Sequence, residues 1–199
     1  TGSAAKKKPK TADPIAAETC TTHLTVCDEH GTMVAMTTTL MSSMGSRVVL
    51  PGSGVLMNNG MIWFDPRPGQ PNSIAPGKRP LHTIIPSLVT RNGRAVMPFG
   101  VMGGQYQPVG QSHVLTNILD YGCDVQEAID MPRGLHYEGV YQLEDSVPAE
   151  IVEGLKKIGH KTTSVVGPLG GGQAIWIDWD KGTLTGGSDP RKDGCALGY

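Results

Sequence analysis

Apolar and polar positions begin to alternate at Thr22. Leu24 and Val26 fall on one side of an extended segment, Asp28–Gly31 supplies a turn, and Met33, Ala35 and Thr37 continue a second segment. Period-two alternation marks a strand with two unlike faces, so a hairpin is predicted here, with Leu24 and Val26 on its apolar side. A second hairpin is predicted over Ile84–Thr90 and Arg94–Val101, joined by Asn92-Gly93, a pair suited to the two positive-φ positions of a tight turn. Its strands are apolar at successive positions, which predicts cover on both faces. Helical spacing follows. Gln111–Tyr121 places Val114, Ile118 and Tyr121 on one stripe, and Val125–Met131 comes after Gly122. Pro148–Ile158 carries Ile151, Val152, Leu155 and Ile158 on one face and stops at Gly159. Two last strands, Gln173–Trp179 and Thr183–Gly187, flank the turn at Asp180-Lys181-Gly182. The order strands, helices, strands predicts an α+β fold with helices packed on stacked antiparallel sheets. Residues 1–20, rich in Lys, Ala, Thr and Pro without apolar periodicity, read as a solvated tail or linker.

Composition narrows the function classes. With 199 residues, 38% of them hydrophobic, and a formal charge of −1, the chain is sized for one ordinary domain and offers no broad basic field. Neither nucleic acid nor a membrane is an expected partner. No apolar run approaches a membrane span, and the cytoplasm is the expected compartment, with periplasm or secretion left open by a start inside polar sequence. Cys20, Cys27, Cys123 and Cys195 lack a C-x-x-C pair and read as free thiols, most of them packed as small apolar groups. The six histidines have no ligand spacing, so no metal is expected. No cofactor is expected either: the glycine-rich "GVMGGQYQPVG" lacks the lysine of a phosphate loop.

What remains reactive in "ETCTTHLTVCDEHGTMVAMTTTL" is threonine. A mid-chain hydroxyl is a weak nucleophile. With its own α-amino group free, threonine carries a built-in base titrating near pH ~8. Such a residue still needs hydrogen bonds to orient it and N–H donors for the oxyanion. The competing explanation is that threonine is simply a good strand former.

The motifs "TTHLTVCDEHGTMVAMTTTL", "SGVLMNN", "GKRPLHTIIPSLV", "GVMGGQ", "MPRGLHYE" and "GGSDPRKDGCALGY", in that order, resemble the small subunit of the γ-glutamyltransferase family from Thr21 to Tyr199. The resemblance implies an N-terminal nucleophile hydrolase with a four-layer αββα sandwich, completed by a separate large-subunit chain from the same precursor. It implies a self-processing zymogen cut immediately before Thr21, which becomes the nucleophile. Thr39 falls on the second family threonine, which bonds the nucleophile, and Gly103 and Gly104 fall on the oxyanion glycines. Residues 1–20 would then be a tail, a propeptide or the end of the large subunit, and 21–199 the small-subunit domain.

The chain departs from the family where substrate is held. Gly60 and Trp63 stand on the positions that bind the α-amino group, His82 and Thr83 replace a serine pair, and Met41 replaces an asparagine. Trp63 either offers an apolar wall to an acyl chain or packs in the core. The short segment between Asp65 and Gly77 leaves no room for a lid, as in the lidless, cephalosporin-acylase-like subgroup. The expected function is threonine amide hydrolysis through an acyl-enzyme on Thr21, on a small-molecule amide other than standard glutathione. The alternatives are a genuine γ-glutamyltransferase or glutathione hydrolase, and a catalytically silent binding protein on the same fold.

Overall fold

A computed structural model describes residues 19–199. Within them the chain forms strands β1 (Thr19–Cys27), β2 (Met33–Ser42), β3 (Ser87–Arg91) and β4 (Arg94–Met102), then helices α1 (Gln107–Leu119) and α2 (Val125–Asp130). Strands β5 (Gly134–Tyr137) and β6 (Val140–Glu144), helix α3 (Ala149–Lys157), and strands β7 (Thr162–Val165), β8 (Gly171–Asp178) and β9 (Thr183–Ser188) follow. Residues 1–18 of the segment expected to be a tail lie outside the described residues, and Thr19 and Cys20 already belong to β1.

The architecture is layered. The β1–β2 hairpin lies over a four-stranded sheet of order β3-β4-β8-β9, and both its strands touch β4. Successive residues of β4 point to opposite sides of the sheet. Gly100 faces the hairpin, where His23 sits against it, while Val101 faces Gly110 of α1. Helices α1 and α2 therefore form a layer opposite the hairpin, and the core between helices and sheet is built from Phe99, Val101, Val114, Val125, Ala128 and Ile129. Pro108 in the first turn explains why α1 starts earlier than its apolar stripe suggests. A capping box closes the start of α2, with Asp124 and Glu127 each accepting from the other's backbone N–H.

Several expectations need correction. The second hairpin turns at Asn92-Gly93 as expected, with φ of 52° and 78°, but its first strand begins at Ser87 and is an edge strand that leaves Leu88 exposed. Tyr121 lies beyond the end of α1 and is exposed. The stripe on α3 has no buried member, since the helix touches little besides β7. Not all pairing is antiparallel: β6 and β7 pair in parallel, because α3 carries the chain back to the same end of the sheet. Leu24 and Val26 face away from the central sheet, and it is Thr21, His23, Thr37 and Thr39 that point into the layer. All four cysteines are free, but Cys20 and Cys195 are exposed rather than packed.

One buried ion network joins the sheets. Asp189, fully buried, accepts from Arg133 Nη2 at 2.6 Å, from Arg191 Nε at 2.8 Å and from the Gly172 N–H at 3.1 Å. Arg133 also reaches the carbonyls of Ile129 and Leu169, at 2.7 and 3.0 Å. Glu144 accepts from the Leu169 N–H at 2.8 Å and from Arg191 Nη1 at 2.9 Å. Burial pushes the Asp189 carboxyl up, but the Arg191 hydrogen bond and the charges of Arg133 and Arg191 outweigh it and hold the group below the ordinary carboxylate range.

Candidate active site

Strand pairing sets the geometry. In the hairpin register Cys20 faces Met41 and Thr21 faces Thr39, so Leu40 is an extra residue and the ladder carries a bulge at Cys20–Thr21. The bulge places three groups in line. Thr21 Oγ1 donates to Thr39 Oγ1 at 3.0 Å, and Thr39 Oγ1 donates to the carbonyl oxygen of Cys20 at 2.9 Å. The Met41 N–H donates to Thr39 Oγ1 at 2.9 Å, which spends the remaining lone pair and fixes the direction of the Thr39 proton. Met41 adopts a left-handed backbone, φ 72°, to make this turn-back.

The next residue pointing inward on β1 is His23, 4% exposed, with Nδ1 2.7 Å from Thr37 Oγ1 and Nε2 unpartnered. Burial pushes its pKa down to about 4, so the imidazole is neutral at ordinary pH.

Strand β4 ends at the glycine pair. Gly103 and Gly104 both have positive φ, 130° and 56°, and a short 3-10 turn, Gly104–Tyr106, leads from them into α1. A Cβ on Gly103 would meet the Cα of Gly170 at 2.6 Å, so only glycine fits. The first N–H groups of such a turn have no intrahelical acceptor and stay available to a ligand.

Of the residues expected to meet substrate, three cluster beside Thr39. Trp63 Nε1 donates to Met41 Sδ at 3.0 Å, and a Cβ on Gly60 would lie 3.9 Å from Met41 Cγ. Trp63 is half-buried and rests on Met41, outside the main core cluster. Asn72 holds the Trp63 carbonyl from the far side of the shortened loop. Gly60 also lines an open concavity of about 760 Å³ with Phe64, Ile74, Pro76, Lys78 and Pro80. Thr83 and His82 sit elsewhere, before β3. Thr83 Oγ1 is 3.5 Å from Gln107 Nε2, at the limit of a hydrogen bond, and His82 is exposed. Among the described residues no three His, Cys, Asp or Glu side chains converge on a metal-sized site.

Sequence reasoning missed the buried pair Gln107 and Gln111, which anchors the segment before β3 through Thr83, Ser87 and the Ile85 carbonyl. Their i, i+4 spacing on a helix was the available signal. It also missed Gly170, which backs Gly103.

The layered arrangement, with helices on one side of a central sheet and the hairpin on the other, is the fold of the N-terminal nucleophile hydrolases, the class of this chain's structural neighbours. A family profile described as Gamma-glutamyltranspeptidase matches residues 2–199, and the chain belongs to that family. The acylase ACY 1 proenzyme of Pseudomonas sp. (strain SE83) is 37% identical over 87% of this chain and 31% of its own length. The glutathione hydrolase proenzyme of Bacillus subtilis is 32% identical over 89% of this chain and 30% of its own length. The chain thus spans about a third of these curated relatives. Among solved structures, a cephalosporin acylase from Bacillus halodurans superposes with a TM-score of 0.82 and 39% identity, covering 89% of this chain and 34% of its own. A highly active tryptophan-to-aspartate mutant of the γ-glutamyltranspeptidase of Pseudomonas nitroreducens gives 0.79 and 29% identity, covering 89% of this chain and 98% of its own.

Proposed function

We propose that this chain is the nucleophile-bearing part of a self-processing amide hydrolase, with Thr21 as nucleophile and Thr39 as its hydrogen-bonding partner. The observation that carries the reading is the line Thr21 Oγ1 to Thr39 Oγ1 to the Cys20 carbonyl. A donor on the Cys20 oxygen polarises that carbonyl toward attack by the neighbouring Thr21 hydroxyl. Attack forms the Cys20–Thr21 ester and breaks the peptide C–N bond, with the hydroxyl proton passing to the leaving nitrogen. Water then hydrolyses the ester. The freed Thr21 amine serves as base for its own hydroxyl, the same Oγ attacks the substrate amide, and the oxyanion develops against the Gly103 and Gly104 amides.

The partner is the remainder of the precursor, matching the two thirds of the relatives that lie outside this chain. The outer face of the hairpin, with Val26, Val34 and Met36 exposed, is the surface it would cover.

For the acyl group we favour a small amide without a glutamyl α-ammonium. A thioether and an indole stand beside Thr39, and neither accepts an ammonium as a carboxylate does. The name of the Pseudomonas and Bacillus halodurans acylases supports this reading, and that of the Bacillus subtilis glutathione hydrolase supports the alternative. Turnover of glutathione against a glutaryl anilide decides between them. Intact-mass analysis tests the core of the reading: Thr21→Ala should leave Cys20–Thr21 uncut and abolish amide hydrolysis. Cleavage surviving in that variant overturns the assignment.

A further inference from the structure

We infer that His23 is a positioning residue that sets the spacing between the layer carrying Thr21 and the strand carrying the glycine turn; this rests on the function proposed above.

The hairpin is held over the central sheet at two glycine slots. At its turn, Gly31 leaves room for the Trp179 ring, which is itself fixed by an Nε1 hydrogen bond to the Ala95 carbonyl at 2.8 Å and by the Arg94 guanidinium 3.6 Å from its centre. Midway along β1, the His23 ring lies flat against Gly100, where a Cβ would fall within 2.6 Å of both ring nitrogens. The two slots differ in what they control. The first lies far from the threonines, whereas His23 is the inward neighbour of Thr21 on β1 and Gly100 is three residues before Gly103 on β4.

Stacked sheets ordinarily stand about 10 Å apart, with side chains of both filling the gap. Here one imidazole fills it alone, because Gly100 contributes none. The separation at this point is therefore the thickness of a single ring against bare backbone. The ring is steered by the Thr37 hydroxyl at 2.7 Å, from the residue opposite it on β2. A strand is stiff over two or three residues, so a shift at His23–Gly100 is passed to Thr21 on one side and to Gly103 on the other. Nucleophile and oxyanion donors must be matched to within a fraction of an ångström for the tetrahedral intermediate, and a displacement of about 1 Å costs on the order of 10²-fold.

A base role is not needed to explain the residue. Nδ1 is engaged by Thr37, and neither an acid nor a second histidine is paired with the ring among the described residues.

The test is a double-mutant cycle in the full-length precursor, assayed on glutaryl-p-nitroanilide with rates normalised to folded protein. Gly100→Ala crowds the ring and removes no functional group; kcat should fall by roughly 10²-fold with KM changed less than about threefold. His23→Asn loosens the same contact and should cost roughly tenfold in kcat. Combining them returns part of the space, so the double variant should lose clearly less than the product of the single losses. Multiplicative losses, or wild-type kcat in Gly100→Ala, overturn the inference. If Gly100→Ala does not fold, His23→Asn decides alone: wild-type kcat, or a change confined to thermal stability, overturns it. A wild type that neither cuts at Cys20–Thr21 nor hydrolyses any amide overturns the underlying reading instead.

Discussion

Removing the Asp189 carboxylate by Asp189→Ala strands a charge. Arg133, 2% exposed, keeps only the carbonyls of Ile129 and Leu169, and its guanidinium loses its one directly bonded carboxylate. Arg191 retains Glu144, at 2.9 Å, and can relax toward solvent; Arg133 cannot. Breaking a buried pair on one side destabilises by about 3–5 kcal/mol, most of it the cost of the uncompensated ion. For a domain of this size each kcal/mol is worth about 2–4 °C, so the melting temperature should drop by roughly 6–20 °C. The assay is thermal or urea unfolding of the purified protein followed by circular dichroism. A Lys156→Ala control, which breaks the exposed pair with Glu153, should move nothing measurable. The reasoning also fixes an order: Arg133→Met with Asp189→Ala should be less harmful than Asp189→Ala alone, because no charge is left buried. A drop below about 1 kcal/mol, or a double variant worse than the single, refutes it.

Thr39→Ala should slow turnover by roughly 10²–10³ and Thr39→Ser much less, since only the hydroxyl is needed; wild-type rates in the alanine variant would return Thr39 to the role of strand former. Gly60→Gln with Trp63→Asp should raise glutathione hydrolysis relative to a glutaryl amide, an exchange of the kind described as highly active in the Pseudomonas nitroreducens enzyme; an unchanged ratio places recognition elsewhere. Acid should destabilise the fold through His23. Its pKa is about 4 when folded and 6.5 as a free side chain, so the unfolded chain takes up the proton first. Stability is complete above pH ~6.5 and declines down to pH ~4, by about 3 kcal/mol for this group. Denaturant melts between pH 7 and 4 should lose that part of the decline in His23→Phe.

Elements with a strong local signal were legible. Asn92-Gly93 fixed one turn, Asp28–Gly31 the other, and Val125 and Thr183 began elements where expected, whereas the strand expected from Gln173 begins at Gly171. The strands β5, β6 and β7, four or five residues each, were not, because such short runs carry too few periods to stand out. The hairpin was legible, but its covered face was not. Alternation shows that two faces differ, not which is covered. Here the covered one carries Thr21, His23, Thr37 and Thr39 beside Met33 and Ala35, since its hydroxyls satisfy one another and its histidine rests on backbone. The candidate site came from the family resemblance, and of its residues the structure brings the Thr21 and Thr39 hydroxyls to 3.0 Å; their roles, and those of the two glycines, are proposals. The Met41–Trp63 contact was not legible, because it depends on how a loop folds back across a strand.

The bulge in the β1–β2 hairpin has a consequence for timing. Thr21 and Thr39 are brought together by a hairpin, a local element whose ends lie 18 residues apart, while the glycine turn is shaped only when Gly170, from a distant part of the chain, closes on Gly103. Short-range contacts form first, because the entropy lost in closing a loop grows with its length. If the proposed function holds, the groups for the cut are therefore assembled early and the oxyanion turn late. A chain trapped half-way would then be able to part at Cys20–Thr21 before it could hydrolyse a substrate.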